Sequence, residues 1–128
     1  GAWCNNKRIR VSKRHELSSC LIGTGIPFGE GIYDNYYKEL ENLSKITAGI
    51  RRLGAASLDL AYVASGKIDG FWEKNLNLWD ICSGVLLVKE AGGRVSEPEG
   101  NYWTTKSRDI LVSNTLIHEK LLENLTLL

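Results

Sequence analysis

The stretch that decides the fold of this chain is IDGFWEKNLNLWDICSGVLLVKEAGG, residues 68–93. It begins with an apolar segment, Ile68 to Glu73, whose length and composition predict a buried strand. A run from Trp79 to Ala91 follows, and because it is apolar nearly all round it predicts a buried helix. Gly92 and Gly93 end this helix, a position where glycine is common. A strand that leads directly into a buried helix is typical of an α/β protein.

The alternation of strands and helices continues on both sides of this stretch. Upstream, apolar spacing predicts strands at 7–12, 18–25 and 50–53, and helices at 32–47 and 54–65. Pro27 prevents simple continuation of the second strand, and Gly66 is placed to cap the second helix. Downstream, the sequence predicts strands at 94–96 and 109–112, a polar surface loop at 97–106 and an amphipathic helix at 116–125. The fold class is therefore α/β, or a layered mixture.

Length and composition limit the classes of protein to consider. The chain has 128 residues, 43% of them hydrophobic and 24% charged, which suits one globular domain with a modest core. A net charge of +1 gives no general attraction to nucleic acid or to a membrane surface. No apolar stretch has the length of a transmembrane helix. The sequence contains no Met, so we expect a processed product or a fragment of something longer.

Cysteines and histidines give little direct indication of chemistry. Cys4, Cys20 and Cys82 are an odd number of widely spaced cysteines without a CxxC motif, which argues against a disulfide framework and a zinc site. We expect buried or partly buried free thiols in a reducing cytoplasm, with Cys82 in the core. His15 and His118 lie far apart in polar surroundings, and no chemistry is assigned to either.

Asp80 is the first candidate for a functional carboxylate. It lies at the start of the predicted buried helix, where an Asp commonly accepts hydrogen bonds from free backbone N–H groups and suits the helix dipole. The alternative is a ligand for a hard cation such as Mg²⁺, which prefers oxygen ligands held in strict geometry. The residue alone does not decide between the two.

Glu73 is the second candidate. It ends an apolar strand, and ligands of α/β proteins gather near the carboxyl ends of strands. A carboxylate there can accept hydrogen bonds from a sugar or polyol hydroxyl. The alternative, favoured for an isolated Glu, is a solvated charge paired with Lys74 or Lys67.

The run Gly54-Ala55-Ala56 opens the second helix. Small residues at a helix start leave backbone N–H groups accessible to an anion or a hydroxyl, although close packing of helices also requires small residues. Arg51 and Arg52 precede the run and suit either a phosphate or ordinary surface ion pairs. The segment Gly23–Gly25 has the look of a phosphate loop but matches neither established glycine motif.

The order of these blocks resembles the inositol monophosphatase family. The blocks are Arg51–Gly66, Ile68–Glu73, Leu78–Gly84 and Lys89–Gly93, in the order and spacing of the C-terminal half of that family. The segments Gly1–Ser12 and Gly23–Phe28 also fit, so the resemblance covers essentially the whole chain. The Trp79-Asp80 pair with the downstream Glu-Ala-Gly-Gly block is its specific part.

The resemblance implies a layered αβαβα sandwich of the sugar-phosphatase type, of which residues 1–128 would be the C-terminal portion. It implies Mg²⁺-dependent hydrolysis of inositol monophosphate or a similar small polyol phosphate by a metal-activated water. By the same resemblance Asp80 is a metal ligand and Glu73 binds an inositol hydroxyl. Gly54, Ala55 and Ala56 contact substrate through backbone groups.

Departures from the family pattern limit what this chain does alone. Ala55 stands where the family commonly has Ser or Thr, and Cys82-Ser83 stands where it usually has a pair of small residues after the Asp motif. In both places one small side chain replaces another. The family's other metal carboxylates belong to a Glu-Glu segment and an Asp-Pro-x-Asp-Gly-Thr segment, and neither occurs here. Because one carboxylate does not assemble a two-metal site, we expect the N-terminal metal-binding half to be absent and this chain alone to be inactive.

Other functions remain open at this point. Relatives within the enzyme class act on nucleotide bisphosphates, fructose bisphosphate or histidinol phosphate. Some bacterial relatives are partners of the transcription or RNA machinery, although the near-neutral charge does not support direct RNA binding. The resemblance also suggests a homodimer, with Tyr36, Tyr37 and Trp103 as the candidate exposed aromatics, and a cytoplasmic location.

Overall fold

The chain folds into a helix–sheet–helix arrangement in the computed structural model, which describes residues 1–26 and 33–126. The strands described are β1 (Trp3–Cys4), β2 (Lys7–Arg8), β3 (Leu21–Thr24), β4 (Gly49–Arg51), β5 (Gly70–Glu73), β6 (Arg94–Ser96) and β7 (Ile110–Ser113). The α-helices described are α1 (Tyr33–Ile46), α2 (Ala56–Ala64), α3 (Leu78–Glu90) and α4 (His118–Thr126). The start of the first helix near Ile32 and the strand-ending Pro27 lie outside the described residues.

The central sheet is mixed. Within the described residues it has five strands in the order β4-β3-β5-β7-β6, and β1 and β2 form a separate antiparallel pair. β4, β3 and β5 run parallel, while β7 runs antiparallel to both β5 and β6. Helices connect the parallel strands, as such connections require. The carboxyl ends of β4, β3 and β5 therefore lie at one edge of the sheet.

Alternation along the strands divides the core between the two faces of the sheet. Phe71 packs in the cluster formed with α2 and α3, whereas the next residue, Trp72, packs in the cluster formed with α1 and α4. On β7, Val112 and Leu111 divide in the same way. All four side chains are fully buried. The result is three layers, with α2 and α3 on one face of the sheet and α1 and α4 on the other.

Gly84 allows α2 and α3 to pack closely. A Cβ placed on Gly84 would lie 2.6 Å from the Cβ of Leu60 on α2, closer than real side chains approach. Both residues are buried at this helix–helix contact. The absence of a side chain at Gly84 therefore sets how near the two helices lie, and hence how near their N-termini lie.

Asp69 ties the N-terminal segment to the sheet. This carboxylate is 1% exposed and accepts hydrogen bonds from the Ser12 hydroxyl (2.5 Å), the Arg14 guanidinium (3.1 Å) and the backbone N–H of Leu21 (2.8 Å). Three donors, one of them the positively charged guanidinium, thus satisfy the Asp69 carboxylate, as a buried charge requires. The cluster fixes the start of β3 beside the start of β5.

From residue 20 onward the sequence correctly predicts the order of strands and helices, but it misses β1, and the strand predicted at 7–12 extends only over Lys7–Arg8. Several environments also differ. The prediction that α3 is buried all round is wrong, because Trp79 is 77% and Leu86 60% exposed. Cys82 lies on the same outer face of α3 and is exposed, so its placement in the core is also wrong. Residues 79, 82 and 86 follow helical spacing, and they form an apolar outer face on α3.

Other predicted environments also need correction. Tyr36 is 1% exposed and packs on Trp72, with ring centroids 6.1 Å apart, so it is no exposed aromatic. His118 is fully buried, and its ring nitrogens lie 2.8 Å from the Ser96 hydroxyl and 2.7 Å from the Ser113 hydroxyl, so it has partners that the sequence did not indicate. All three cysteines are free as predicted, but only Cys20 is buried. Spacing of apolar residues does not reveal which side of a helix receives a neighbour.

The close contact at Gly84 makes a prediction about stability. We expect Gly84→Ala to lower the free energy of unfolding by about 1–3 kcal/mol, because overpacking outweighs the better helix propensity of Ala. Ser83→Ala is the matched control, since Ser83 is exposed on the same helix. Chemical denaturation of both variants measures the effect, and a Gly84→Ala protein as stable as the control would contradict it.

The buried His118 makes a prediction about pH. Burial lowers its pKa to about 4, and the nearby charge of Arg94 adds to this. Its unfolded pKa is about 6.5, so the unfolded chain takes up a proton in this window that the folded chain does not. Stability from this group is present above pH 6.5 and falls by about 2 kcal/mol between pH 7 and pH 5.

The measurement is urea denaturation at both pH values. We expect this component of the pH dependence to disappear in His118→Gln and to persist in the control His15→Gln, because His15 is exposed. Titration of the His118 ring by NMR gives an independent reading, and a pKa near the ordinary value would contradict the prediction.

Candidate functional site

Three parts of the chain converge at the carboxyl edge of the parallel strands. They are the end of β5 at Glu73, the N-terminus of α2 at Gly54–Ala56, and the N-terminus of α3 at Asp80. Together with neighbouring residues they line a cleft of about 390 Å³. The structure therefore brings together all of the site residues that the sequence predicts.

Asp80 is presented to solvent at the start of α3. The helix begins at Leu78 after Asn77, and no side-chain hydrogen bond caps it. Asp80 is exposed, and its carboxylate accepts no hydrogen bond from the part of the chain that the structure describes. The capping interpretation of Asp80 therefore lacks its hydrogen bond, and the carboxylate oxygens are free to meet a ligand.

Glu73 lies at the end of β5, half buried in the cleft. Neither of the lysines proposed as its partner is paired with it. Lys74 lies 2.8 Å from the buried carboxylate of Glu39, and Lys67 lies over the ring of Tyr62 at 5.1 Å. Glu73 is therefore not a solvated surface charge with a lysine partner, which was the alternative to a role in binding.

The Gly54–Ala56 turn before α2 contributes backbone groups to the cleft and no polar side chain. Gly54 has a φ of +89°, which favours glycine, and Ala55 occupies the capping position without a side-chain oxygen. The first N–H groups of α2 are therefore not capped by that side chain, and they belong to the wall of the cleft.

The two arginines before the turn differ in their contacts. Arg52 forms no ion pair within the described residues and lines a smaller adjoining pocket, whereas Arg51 donates a hydrogen bond to the Ile50 carbonyl.

The smaller pocket has a volume of about 100 Å³ and lies between β3 and α2. Asp59, which the sequence analysis did not single out, lines it together with Glu73. Asp59 is 1% exposed, and its Oδ1 atom has no hydrogen-bond partner in the described part of the chain. A polar atom in this condition is rare in folded proteins and marks a position of interest.

Crowding of carboxyl groups gives the site an unusual electrostatic character. Burial and then the negative charge of Asp80 raise the pKa of Glu73 to about 7, against the opposing influence of Arg52. Burial and then the charge of Glu73 raise the pKa of Asp59 to about 7. Negative charge thus accumulates here without enough positive charge to balance it. A bound cation would relieve this repulsion.

The donor set at Asp80 fits one part of a magnesium site. Mg²⁺ prefers carboxylate oxygens and water, and Asp80 offers accessible oxygens in a region of negative potential. Among residues 1–26 and 33–126, however, no group of three or more His, Cys, Asp or Glu side chains is arranged to hold a metal ion. If a metal ion binds here, the described residues would supply only part of its coordination sphere.

Sequence reasoning missed Asp59 because nothing in its motif stands out. The sequence does contain an indication of Asp59, because this carboxylate lies in a mainly apolar helix next to Leu60, and both residues are buried. A lone carboxylate in the buried stripe of a helix requires a reason. Sequence reasoning also left Gly23 and Gly25 unassigned, and the structure places both against the two carboxyl groups of the small pocket.

The fold is thus a mixed α/β sheet covered by helices, with Asp80, Glu73 and the Gly54–Ala56 turn in one cleft at the carboxyl edge of its parallel strands. Comparison with known families is more specific: the model of the inositol monophosphatase family matches residues 1–127. This chain belongs to the inositol monophosphatase family.

Individual relatives agree with this assignment. The chain is 45% identical over 121 residues to the inositol-1-monophosphatase of Caulobacter vibrioides, which covers 93% of this chain and 47% of that protein. It is 48% identical over 125 residues to the Nus factor SuhB of Pseudomonas aeruginosa, covering 95% and 46%. The solved structure of the extragenic suppressor protein suhB from Bartonella henselae is similar with a TM-score of 0.94 at 45% identity, covering 99% of this chain and 49% of that one.

The chain thus spans about half the length of the relatives that it matches. The fold prediction is confirmed by the similar structures. No helix in the described ranges has both the length and the apolar character needed to cross a bilayer.

The electrostatic coupling between Asp80 and Glu73 is testable. We expect Asp80→Asn to lower the pKa of Glu73, because a neighbouring negative charge is one of the two causes that raise it. Carboxyl-carbon NMR titration measures this. Glu90→Gln is the control, since it removes one negative charge from the other end of α3. Equal shifts in both variants would contradict the arrangement.

Proposed function

We propose that this chain is the C-terminal half of a Mg²⁺-dependent phosphatase that hydrolyses inositol monophosphate or a similar small polyol phosphate monoester. The observation that carries the proposal is the convergence of Asp80, Glu73 and the Gly54–Ala56 turn in one cleft. Membership of the inositol monophosphatase family supports the hydrolase class. The name inositol-1-monophosphatase, borne by the Caulobacter relative, supports the substrate class.

Each group has a distinct task in this proposal. Asp80 would hold Mg²⁺ through a carboxylate oxygen at the start of a rigid helix. The Glu73 carboxylate would accept hydrogen bonds from polyol hydroxyls, and the exposed N–H groups of the Gly54–Ala56 turn would face the phosphate side of the substrate. When bound, Mg²⁺ supplies an activated water and stabilises the leaving oxygen.

The division of the site between two halves has a structural counterpart. The described residues contain no set of three metal-ligating side chains, and we propose that the N-terminal half supplies the further metal ligands. The outer face of α3 presents Trp79, Cys82 and Leu86 to solvent. We propose that the N-terminal half of the longer protein covers this face, which would complete the αβαβα layering.

A second function has one observation in its favour. Relatives 48% identical to this chain are named Nus factor SuhB or putative Nus factor SuhB. We therefore keep a non-catalytic role with the transcription machinery as the alternative proposal. A net charge of +1 gives no positive support for direct contact with nucleic acid.

Our proposals for the oligomeric state and the cellular location rest on the family resemblance alone. We propose a homodimer in the cytoplasm, and the candidate aromatics at its interface are now reduced. Tyr36 is buried and is excluded, Trp103 is partly buried, and Tyr37 is 53% exposed.

Phosphate release tests the proposed function. With inositol 1-phosphate and Mg²⁺, we expect no turnover by the 128-residue chain and turnover when it is joined to the N-terminal half of the Caulobacter relative. Asp80→Asn in the joined protein should reduce kcat by at least about a hundredfold, because a metal ligand is lost. The matched control is Asp109→Asn, which lies outside the cleft.

Turnover by the isolated chain at the rate of the joined protein would overturn the division into halves. A joined protein that unfolds cooperatively and hydrolyses no small phosphate ester would overturn the enzymatic proposal. In that case, retention of a bound transcription protein by both wild type and Asp80→Asn would favour the alternative.

A further inference from the structure

The small pocket contains a buried carboxyl group that the proposed function does not use. Asp59 lies on α2, and its Oδ1 atom has no partner in the described part of the chain although the residue is 1% exposed. Most buried carboxylates in this chain are satisfied: Asp69 accepts three hydrogen bonds and Glu39 contacts Lys74 and Trp72. Asp59 is the exception within the described ranges.

Gly23 on β3 and Gly25 just after it make room for this group. A Cβ on Gly23 would lie 2.6 Å from Asp59 Oδ1, and a Cβ on Gly25 would overlap the Glu73 carboxylate. Gly23 lies on β3 and Gly25 directly follows the end of that strand. The Gly23–Gly25 segment therefore bounds a recess for two carboxyl groups, and it is no phosphate loop.

The recess has space for a hydrogen-bonding group. Its volume of about 100 Å³ exceeds what a single water requires, and its lining is mainly polar or backbone. Thr24, which also lines it, has its hydroxyl 3.2 Å from the Tyr36 hydroxyl. Asp59 Oδ1 has no donor within the described residues, although Arg52 also lines the recess. A hydroxyl between the two carboxyl groups can donate its one proton to an ionised carboxylate and accept a hydrogen bond from a protonated carboxyl group.

We propose that Asp59 is a positioning residue for substrate: with Glu73 it holds one O–H donor in this recess, and it thereby fixes the Glu73 carboxylate in the place where it meets the polyol. The donor is a water or a ring hydroxyl of the substrate, and the two share the same chemistry. With a water in the recess Asp59 acts through Glu73, and with a ring hydroxyl there it also contacts the substrate directly; in neither case does it touch the phosphate. This role rests on the proposed function for the identity of the substrate.

A crystal structure of the 128-residue chain, alone and soaked with inositol, tests the recess directly. We expect an oxygen within about 3.2 Å of both Asp59 Oδ1 and a Glu73 oxygen. Its presence without inositol identifies a water, and its appearance only with inositol identifies a substrate hydroxyl. Direct contact of the two carboxyl groups with no oxygen between them in either crystal would overturn the proposal. This result does not depend on turnover.

Kinetics of the joined protein test the consequence for substrate. We expect Asp59→Ala to raise KM for inositol 1-phosphate about tenfold, the size of one lost hydrogen bond to a charged group, with kcat nearly unchanged. KM for p-nitrophenyl phosphate, which has no polyol hydroxyls, should stay within about twofold. Asp59→Asn keeps an oxygen acceptor and should recover most of the loss.

Asp69→Ala is the matched control, since it removes an equally buried carboxylate outside the pocket. Equal KM changes for both esters in Asp59→Ala, or a pattern like that of Asp69→Ala, would show a general structural role and overturn the proposal. If the wild-type joined protein turns over inositol 1-phosphate but Asp59→Ala changes KM equally for both esters, the inference about Asp59 fails and the proposed function stands. If the wild-type joined protein shows no turnover but the crystal structure contains an oxygen in the recess, the proposed function fails and the recess remains a binding site.

Discussion

The close packing of α2 on α3 is the constraint on which the site depends. A β-carbon on Gly84 would collide with Leu60, so the bare glycine backbone brings the two helices together. Because the helices return antiparallel to the strands, their N-termini lie at the carboxyl edge of the sheet, where β5 ends. The Gly54–Ala56 turn, Asp80 and Glu73 thereby line one cleft. A looser contact would move one helix start relative to the other, and backbone and carboxylate ligands would no longer face the same point.

Charge in this cleft is arranged for a ligand more than for the stability of the chain itself. Glu73 and Asp59 both have pKa values raised to about 7, chiefly by burial and then by a neighbouring carboxylate. A protein selected for stability alone would pair such groups with cations or donors, as it does at Asp69. The unpaired state is understandable if a metal ion and a polyol complete the site. Unbalanced carboxylates of this kind mark functional positions.

Sequence reasoning reaches the fold because strand alternation and helical spacing are local. The block from Phe71 to Gly84 predicts strand, turn and helix. The family resemblance singles out Asp80 and Glu73, and the structure places both in one cleft. Exposure is different, because it depends on which surfaces meet. Cys82 and Leu86 have the composition of a core, yet no described residue covers them, and Tyr36 is covered where an exposed ring was expected. Asp59 was missed because one carboxylate in an apolar helix carries no motif.

Paramagnetic NMR with Mn²⁺ in place of Mg²⁺ examines the shared cleft most directly. Mn²⁺ added to the isolated chain should broaden the amide signals of Asp80, Glu73 and the Gly54–Ala56 turn together, while signals of Gly92 and Gly93, beyond the other end of α3, remain sharp. In the Asp80→Asn variant, the broadening of the amide signal at position 80 should be much reduced. Broadening that spares the Gly54–Ala56 turn, or that centres elsewhere in the described chain, would contradict a metal-binding cleft built at the meeting point of α2, α3 and β5.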